Sequence, residues 1–289
     1  MILCVILNLS DCENVFWKGS GAMSGMSDGF TAEPLCAEKI GEAMKNSIRI
    51  SLFDELDSTN SEARRQAERG MSVPALIIAD SQSAGRGRLG RSFYSPPGTG
   101  LYMSFLAEAK ESFCETVALT TASAVAVAQT IEKLCRVTPE IKWVNDVYVG
   151  GKKACGILCE SFGTSDGKRF ALVGIGINLY TETFPSELDG IAVSVFPERG
   201  LRNAFASNIA DRLVEYWNEP SRGELMEYYR AHSLVIGKRI SFTENGVTAS
   251  AVAREIDALG CLIVTLDDGS TKRLSGGEIS VRLENTKEN

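Results

Sequence analysis

Histidine is almost missing from this chain: His232 is the single one among 289 residues. A lone imidazole near the end of a helical pattern reads as structural, and serine- and cysteine-hydrolase schemes lose their base. CxxC pairs are missing as well. The eight cysteines, at 4, 12, 36, 114, 135, 155, 159 and 261, are scattered, several of them inside apolar runs. Such cysteines behave as small hydrophobes, so neither a zinc site nor a disulfide framework is expected, and the thiols read as reduced ones of a cytoplasmic protein. No apolar run approaches the ~20 residues of a membrane span. The apolar opening Met1 to Leu7 has no positive n-region or clear cleavage site, so no signal peptide is expected. Positive charge is in deficit: the formal net charge is −7. That excludes a composition-level basic face, and no nucleic-acid partner is expected. What remains, 44% hydrophobic and 23% charged residues, is ordinary for a soluble globular protein of one large or two smaller domains.

Against that acidic balance, residues 85–91 read Gly-Arg-Gly-Arg-Leu-Gly-Arg. Glycines let backbone amides approach a ligand and form an anion nest, and arginines add planar donors for carboxylate and phosphate. Taken alone, the run could equally be a solvated basic loop. It also matches the G-x-G-x-x-G dinucleotide fingerprint. That reading needs a helix to follow directly, whereas Ser92 to Gly98 brings paired prolines at 96 and 97.

The pattern predicts a short helix over Leu35–Lys45, a strand over Ile48–Leu56, and a helix over Ser61–Glu68 opened by a Thr59-x-x-Glu62 capping box. Strands are expected at 75–80 and 100–107, and an Ala-rich buried helix at 115–135. Strands Ile141–Val149 and Lys152–Ser161 should be joined by a Gly150-Gly151 hairpin, with a further strand over Arg169–Leu179. Helices are expected at 202–217 and 221–232. After Gly237 come short strands, with turns at Glu244-Asn245-Gly246, Ala258-Leu259-Gly260 and Asp267-Asp268-Gly269, the texture of a small SH3-like β-barrel. The fold class is thus α/β (α+β), a mixed or antiparallel sheet with flanking helices. The expected organisation is a poorly ordered extension over 1–34, a catalytic domain over 35–233 and the C-terminal barrel over 234–284.

Five segments in order carry a resemblance: Asp57-Ser58-Thr59-Asn60; Gln82 to Arg91; Lys142-Trp143-Val144-Asn145-Asp146; Lys153 to Leu158; and Gly174 to Asn178. Together with Gly276-Gly277-Glu278-Ile279-Ser280, they are similar to the biotin protein ligases over about residues 46–284. The resemblance implies a catalytic domain of the class II aminoacyl-tRNA-synthetase-like type. It also implies activation of biotin by ATP as biotinyl-adenylate and transfer to a lysine of a biotin carboxyl carrier protein, by a monomer or homodimer. Arg86, Arg88 and Lys153 would be catalytic. Biotin would lie among Ser58, Thr59, Asn60, Gln82, Gly85, Arg86, Gly87, Arg88, Lys153, Gly156, Gly174 and Gly176. The nucleotide would meet Arg88, Arg91, Phe93, Lys142, Asn145 and Asn178, and Asp146 would hold Mg2+ brought by ATP.

The chemistry needs such residues: a carboxylate must meet an α-phosphate, and positioned cations and amides offset their repulsion. Each residue also has an ordinary reading. By strict alternation Lys153 shares a strand face with Cys155, Ile157 and Cys159 and would be a snorkelling lysine; the resemblance places it between carboxylate and α-phosphate, with Lys152 merely solvated. Asn145-Asp146 could be turn chemistry, against a hard-cation ligand. Ser58, Thr59 and Asn60 could simply cap a helix, and Gly156, Gly174 and Gly176 could simply pack. Two positions depart from the family pattern: Val144 stands for a proline and Phe93 for a tryptophan, a smaller ring that still stacks.

A lipoate ligase or octanoyltransferase would share the fold and the lysine, but that branch carries a different glycine motif at the arginine loop. A biotin-responsive repressor would need a recognition helix in the roughly 45 residues before the catalytic region, and the first 30 lack helical periodicity.

Overall fold

In a computed structural model the chain is described over residues 33–110, 116–196, 200–218, 222–244, 246–275 and 280–283. Residues 1–32 of the expected N-terminal extension, Asn245 of one predicted turn and residues 276–279 of the tail motif lie outside the described residues.

Seven strands build the larger sheet: β1 (Arg49–Leu56), β2 (Ala75–Gln82), β3 (Gly100–Glu108), β4 (Glu140–Lys142), β5 (Asp146–Val149), β6 (Lys152–Gly163) and β7 (Arg169–Asn178). Their order is β1-β2-β3-β7-β6-β5-β4. Among the described strands only β1 and β2 run parallel, because the helix α2 (Thr59–Glu68) carries the chain back between them. Every other pair is antiparallel, so the sheet is mixed. The helices α3 (Thr116–Cys135) and α4 (Arg202–Asn218) cover one face, α4 with Trp217 edge-on to Phe105 of β3. The alanines of α3 allow close packing, and residues 124 to 128 are wholly buried. Helices α1 (Ala37–Ala43) and α5 (Arg222–Ala231) flank this layer. Arg202 of α4 is buried at 1% exposure, donates to Gly100 O, and pairs with Asp80 at 2.7 Å.

On the other face α2 covers only part of the sheet. Ala63 and Ala67 pack on Ile77, Leu106, Phe170 and Leu172. Further along the same strands the side chains stop: Gly174 and Gly176 of β7 and Gly156 of β6 leave that end of the face open. Bulk under the helix and glycines beyond it make a floor, which is the fold's contribution to the site.

Five shorter strands, β8 (Arg239–Glu244), β9 (Val247–Ile256), β10 (Leu262–Leu266), β11 (Thr271–Leu274) and β12 (Ser280–Leu283), form an antiparallel sheet in the order β11-β10-β9-β8-β12. It has the short strands expected of the C-terminal barrel, with the Gly246, Gly260 and Gly269 turns at positive φ. The turn 257–260 reaches the large sheet, where Trp143 Nε1 donates to Gly260 O at 2.9 Å.

Three local expectations change. The Thr59/Glu62 capping box does not form: α2 starts at Thr59, its N-cap Ser58 makes no side-chain cap bond, and Glu62 binds Arg65 and Gln66 instead. The Thr59 hydroxyl is drawn away by Gln82 and Ser104. The expected strand 141–149 folds back on itself at 143–145, placing Lys142 opposite Asp146. Asn145 accepts Ile157 N–H and donates to Ile157 O, so its contacts to β6 replace strand continuation there. The Gly150-Gly151 hairpin forms as expected, both residues at positive φ. Beside it, however, a bulge pairs Tyr148 with Lys153 and Val147 with Cys155. The extra residue, Ala154, puts Lys153 on the face of Gly156 instead of that of Cys155.

Candidate active site

That bulge gives the site its lysine. Lys142, Asp146, Gly156, Gly176 and Tyr102 lie in one register row across five strands. Residues directly opposite in antiparallel pairs share a face, so a lysine, a carboxylate and two bare glycines open into one space. Lys153, in the next row, turns its Nζ to Asp146 at 2.7 Å. Arg88 Nη1 donates to Asn145 Oδ1 at 2.8 Å, and Asn145 Nδ2 donates to Asp146 Oδ1 at 3.0 Å. A single chain of contacts thus links Arg88, Asn145, Asp146 and Lys153.

The arginine-glycine loop closes over this row as a small hairpin. Arg86 bridges Ser92, Gly87 N donates to Arg91 O at 2.7 Å, and Phe93 N donates to Gly85 O at 2.9 Å. Leu89 and Gly90 take positive φ at the tip, which lets the short turn reverse. At the base, Ser83 N and Ala84 N donate to Leu56 O and Asp57 O, tying the loop to the end of β1. Asp57 in turn binds Arg65, which holds its carboxyl down at about 2.

The cavity measures about 190 Å³ and is partly open to solvent. Of the 18 residues expected at the site, 16 line it: Ser58, Thr59, Asn60, Gln82, Arg86, Gly87, Arg88, Arg91, Phe93, Lys142, Asn145, Asp146, Lys153, Gly156, Gly174 and Gly176. Gly85 lies behind the wall, where a Cβ would stand 2.5 Å from Phe93 O. Asn178, expected on the nucleotide side, lies outside the lining, with its Nδ2 donating to Val193 O at 3.3 Å. Phe93 rests on the glycine floor: a Cβ at Gly176 would stand 2.6 Å from its ring. Lys152 is exposed.

Sequence reasoning missed Leu89, Ser92, Trp143, Ile157, Leu158 and Ile175 in the wall, and Val281 and Arg282 from β12. Trp143 and the β6 pair stood inside segments already singled out, whereas Val281 and Arg282 directly follow the Gly276–Ser280 segment, from which no site residue was drawn. Among the described residues the lining cations are Arg86, Arg88, Arg91, Lys142, Lys153 and Arg282, against one carboxylate, Asp146. Burial pulls the pKa of Arg88 and of Lys142 below their ordinary values, partly countered by Asp146. Such a surplus of partly desolvated cations favours an anionic ligand. Cys155 and Cys159 are raised by burial, Cys159 to about 12, and remain thiols; Cys36 and Cys135 are likewise outside any disulfide. Among the described residues no helix is long and apolar enough to cross a membrane, and no cluster of three His, Cys, Asp or Glu could hold a metal.

A family model for the biotin/lipoate A/B protein ligase family matches residues 52–178, and one for the biotin protein ligase C terminal domain matches 235–282. The bifunctional ligase/repressor BirA of Bacillus subtilis (strain 168) is 33% identical over 254 residues, covering 81% of this chain and 78% of its own. The biotin--[acetyl-CoA-carboxylase] ligase of Mycobacterium tuberculosis is 28% identical over 80% of this chain and 88% of its own. Among solved structures, the biotin protein ligase from Aquifex aeolicus in complex with biotin and ATP superposes with a TM-score of 0.70. It is 26% identical, and the match covers 82% of this chain and 99% of that one.

Proposed function

This chain belongs to the biotin protein ligase family, and on that premise we propose that it is an ATP-dependent ligase joining biotin to a lysine of a carrier protein. The observation that carries the proposal is the set of six cations and one carboxylate that line the cavity among the described residues, above a glycine floor, in a chain of net charge −7. Two anions must meet for the first step. A biotin carboxylate oxygen bonds to the α-phosphorus of ATP, the bond to the bridging oxygen breaks, and pyrophosphate leaves. Lys153, on the floor, is placed to hold carboxylate and α-phosphate together, while Arg86, Arg88 and Arg91 enclose the charge from the loop. In the second step the amine of the acceptor lysine bonds to the acyl carbon, loses a proton, and displaces AMP.

The polar wall of Ser58, Thr59, Asn60 and Gln82 suits the ureido ring, and Phe93, Lys142 and Asn145 suit the nucleotide side. Asp146 is the carboxylate that would hold a magnesium ion accompanying ATP. One carboxylate plus substrate phosphates and waters is an ordinary set for that ion, and it would supply charge neutralisation at the phosphates. The acceptor we propose is the biotin carboxyl carrier protein, met in the cytoplasm by a monomer or homodimer. The loop at 85–91 must then admit two substrates, exclude water and reopen for the acceptor, which is a lid's work.

Purified chain given ATP and biotin should release pyrophosphate and retain biotinyl-adenylate. Arg88→Ala should lower formation or retention of the adenylate by about 10²-fold, as loss of a preorganised charge donor does, with the fold intact. Unchanged pyrophosphate release and adenylate half-life in that variant would contradict the assignment.

A further inference from the structure

Glu160 does not line the cavity, yet it fixes the groups that do. Its Oε1 accepts Arg64 Nη2 at 2.9 Å and its Oε2 accepts Asn60 Nδ2 at 2.8 Å. A guanidinium only donates and a carboxylate only accepts, so the Asn60 amide has one orientation, with Oδ1 on Ser104 Oγ at 2.6 Å. Gly174 makes room for it, since a Cβ there would clash with Asn60 Oδ1. Gln82 is fixed at the far end. Its Nε2 donates to Ser95 Oγ, whose own hydrogen goes to Phe93 O, so Gln82 Oε1 faces Thr59.

Between those two fixed oxygens lie the hydroxyls of Ser104 and Thr59, 2.8 Å apart. Thr59 Oγ1 also lies 3.2 Å from Gln82 Oε1. The run therefore has three oxygen–oxygen contacts, Asn60 to Ser104, Ser104 to Thr59 and Thr59 to Gln82, but each hydroxyl brings one hydrogen, two in all. The Thr59 N–H also donates to Gln82 Oε1, at 2.9 Å, so the run is satisfied with both hydroxyl hydrogens spent inside it and none left over for a ligand. It is a run of acceptors, and the ligand it complements is one that brings N–H donors.

We propose that Glu160, braced by Arg64 and acting through Asn60 and Ser104, is a positioning residue that keeps this wall accepting and so selects an acid whose head group donates N–H. This deepens the reading of the cavity as a biotin site and rests on it. A ureido ring carries N–H groups; the dithiolane of lipoate, the other acid in the family's description, carries none.

Glu160→Gln tests the idea with little change of shape. Arg64 still demands an acceptor, so the substituted amide turns its carbonyl to Arg64 and its NH2 to Asn60. Asn60 then reverses and presents a donor to Ser104. In biotin-dependent ATP–pyrophosphate exchange, KM for biotin should rise by roughly tenfold, the worth of a hydrogen bond to a polar wall. KM for ATP and the melting temperature should hold, and inhibition by lipoate should not weaken. Ser104→Ala should raise KM for biotin too, and the double variant should fall short of the sum, because both act through Asn60. An active wild type whose KM for biotin is unmoved by Glu160→Gln overturns the inference alone. A parallel rise in both KM values with a lowered melting temperature also overturns it, showing a merely structural role. A wild type with no biotin-dependent exchange overturns the reading of the cavity and the inference together.

Discussion

The adjacent lysines 152 and 153 separate solvation from chemistry within one strand. Lys153 faces the cavity and Asp146, and Lys152 is exposed. Lys153→Ala should lower adenylate formation by about 10²-fold or more, the cost of losing a placed charge donor, and Lys152→Ala should leave it unchanged. Steady-state pyrophosphate release on both variants checks the pair. Asp57 adds a pH dependence. Its carboxyl is held to about 2, first by its hydrogen bonds from Arg65. A carboxyl depressed in the fold contributes stability above its unfolded value and loses it as pH falls through the folded one. The stability difference between wild type and Asp57→Asn should therefore be constant at neutral pH and shrink from about pH 4 towards 2. Urea melts across that range would show it.

At the scale of elements, the loop and its neighbours behave as one packed unit. The ideal Cβ of Gly85 would meet the backbone oxygen of Phe93, which cannot rotate away. Gly85→Ala should cost the closed loop about 1–3 kcal/mol, the usual penalty of overpacking. Cleavage by trypsin at Arg88 and Arg91 should then accelerate, and it should slow again when biotin and ATP are added. The loop's residue types were readable in the sequence because glycine and arginine are rare partners in an acidic chain. The hairpin at Gly150-Gly151 was readable because two positive-φ positions in succession demand such residues. The bulge next to it was not, because alternation carries no mark of one inserted residue. That single residue decides whether Lys153 faces the cavity. The Thr59 capping box failed for a related reason: local spacing gave its hydroxyl a helix to cap, but tertiary partners, Gln82 and Ser104, took it.

At the scale of the molecule, the two sheets meet at the site. Trp143 lines the cavity and donates to Gly260 of the C-terminal turn, and β12 supplies Arg282 to the same cavity. Such long-range closure leaves no local trace, which is why Val281 and Arg282 escaped a reading by motif. Trp143→Phe keeps the ring and loses the bond, so it should cost about 0.5–1.5 kcal/mol. A fall in melting temperature of roughly 2–4 °C per kcal/mol is expected, together with a raised KM for ATP. Two sheets, a glycine floor and a cationic lid serve one act, the meeting of a carboxylate with a phosphate. Mass spectrometry of a purified biotin carboxyl carrier domain, incubated with the chain, ATP and either biotin or lipoate, tests that account most directly. One biotinyl group on one lysine is predicted, dependent on ATP and lost with Lys153→Ala. A carrier left unmodified by biotin, or modified by lipoate in its place, would contradict it.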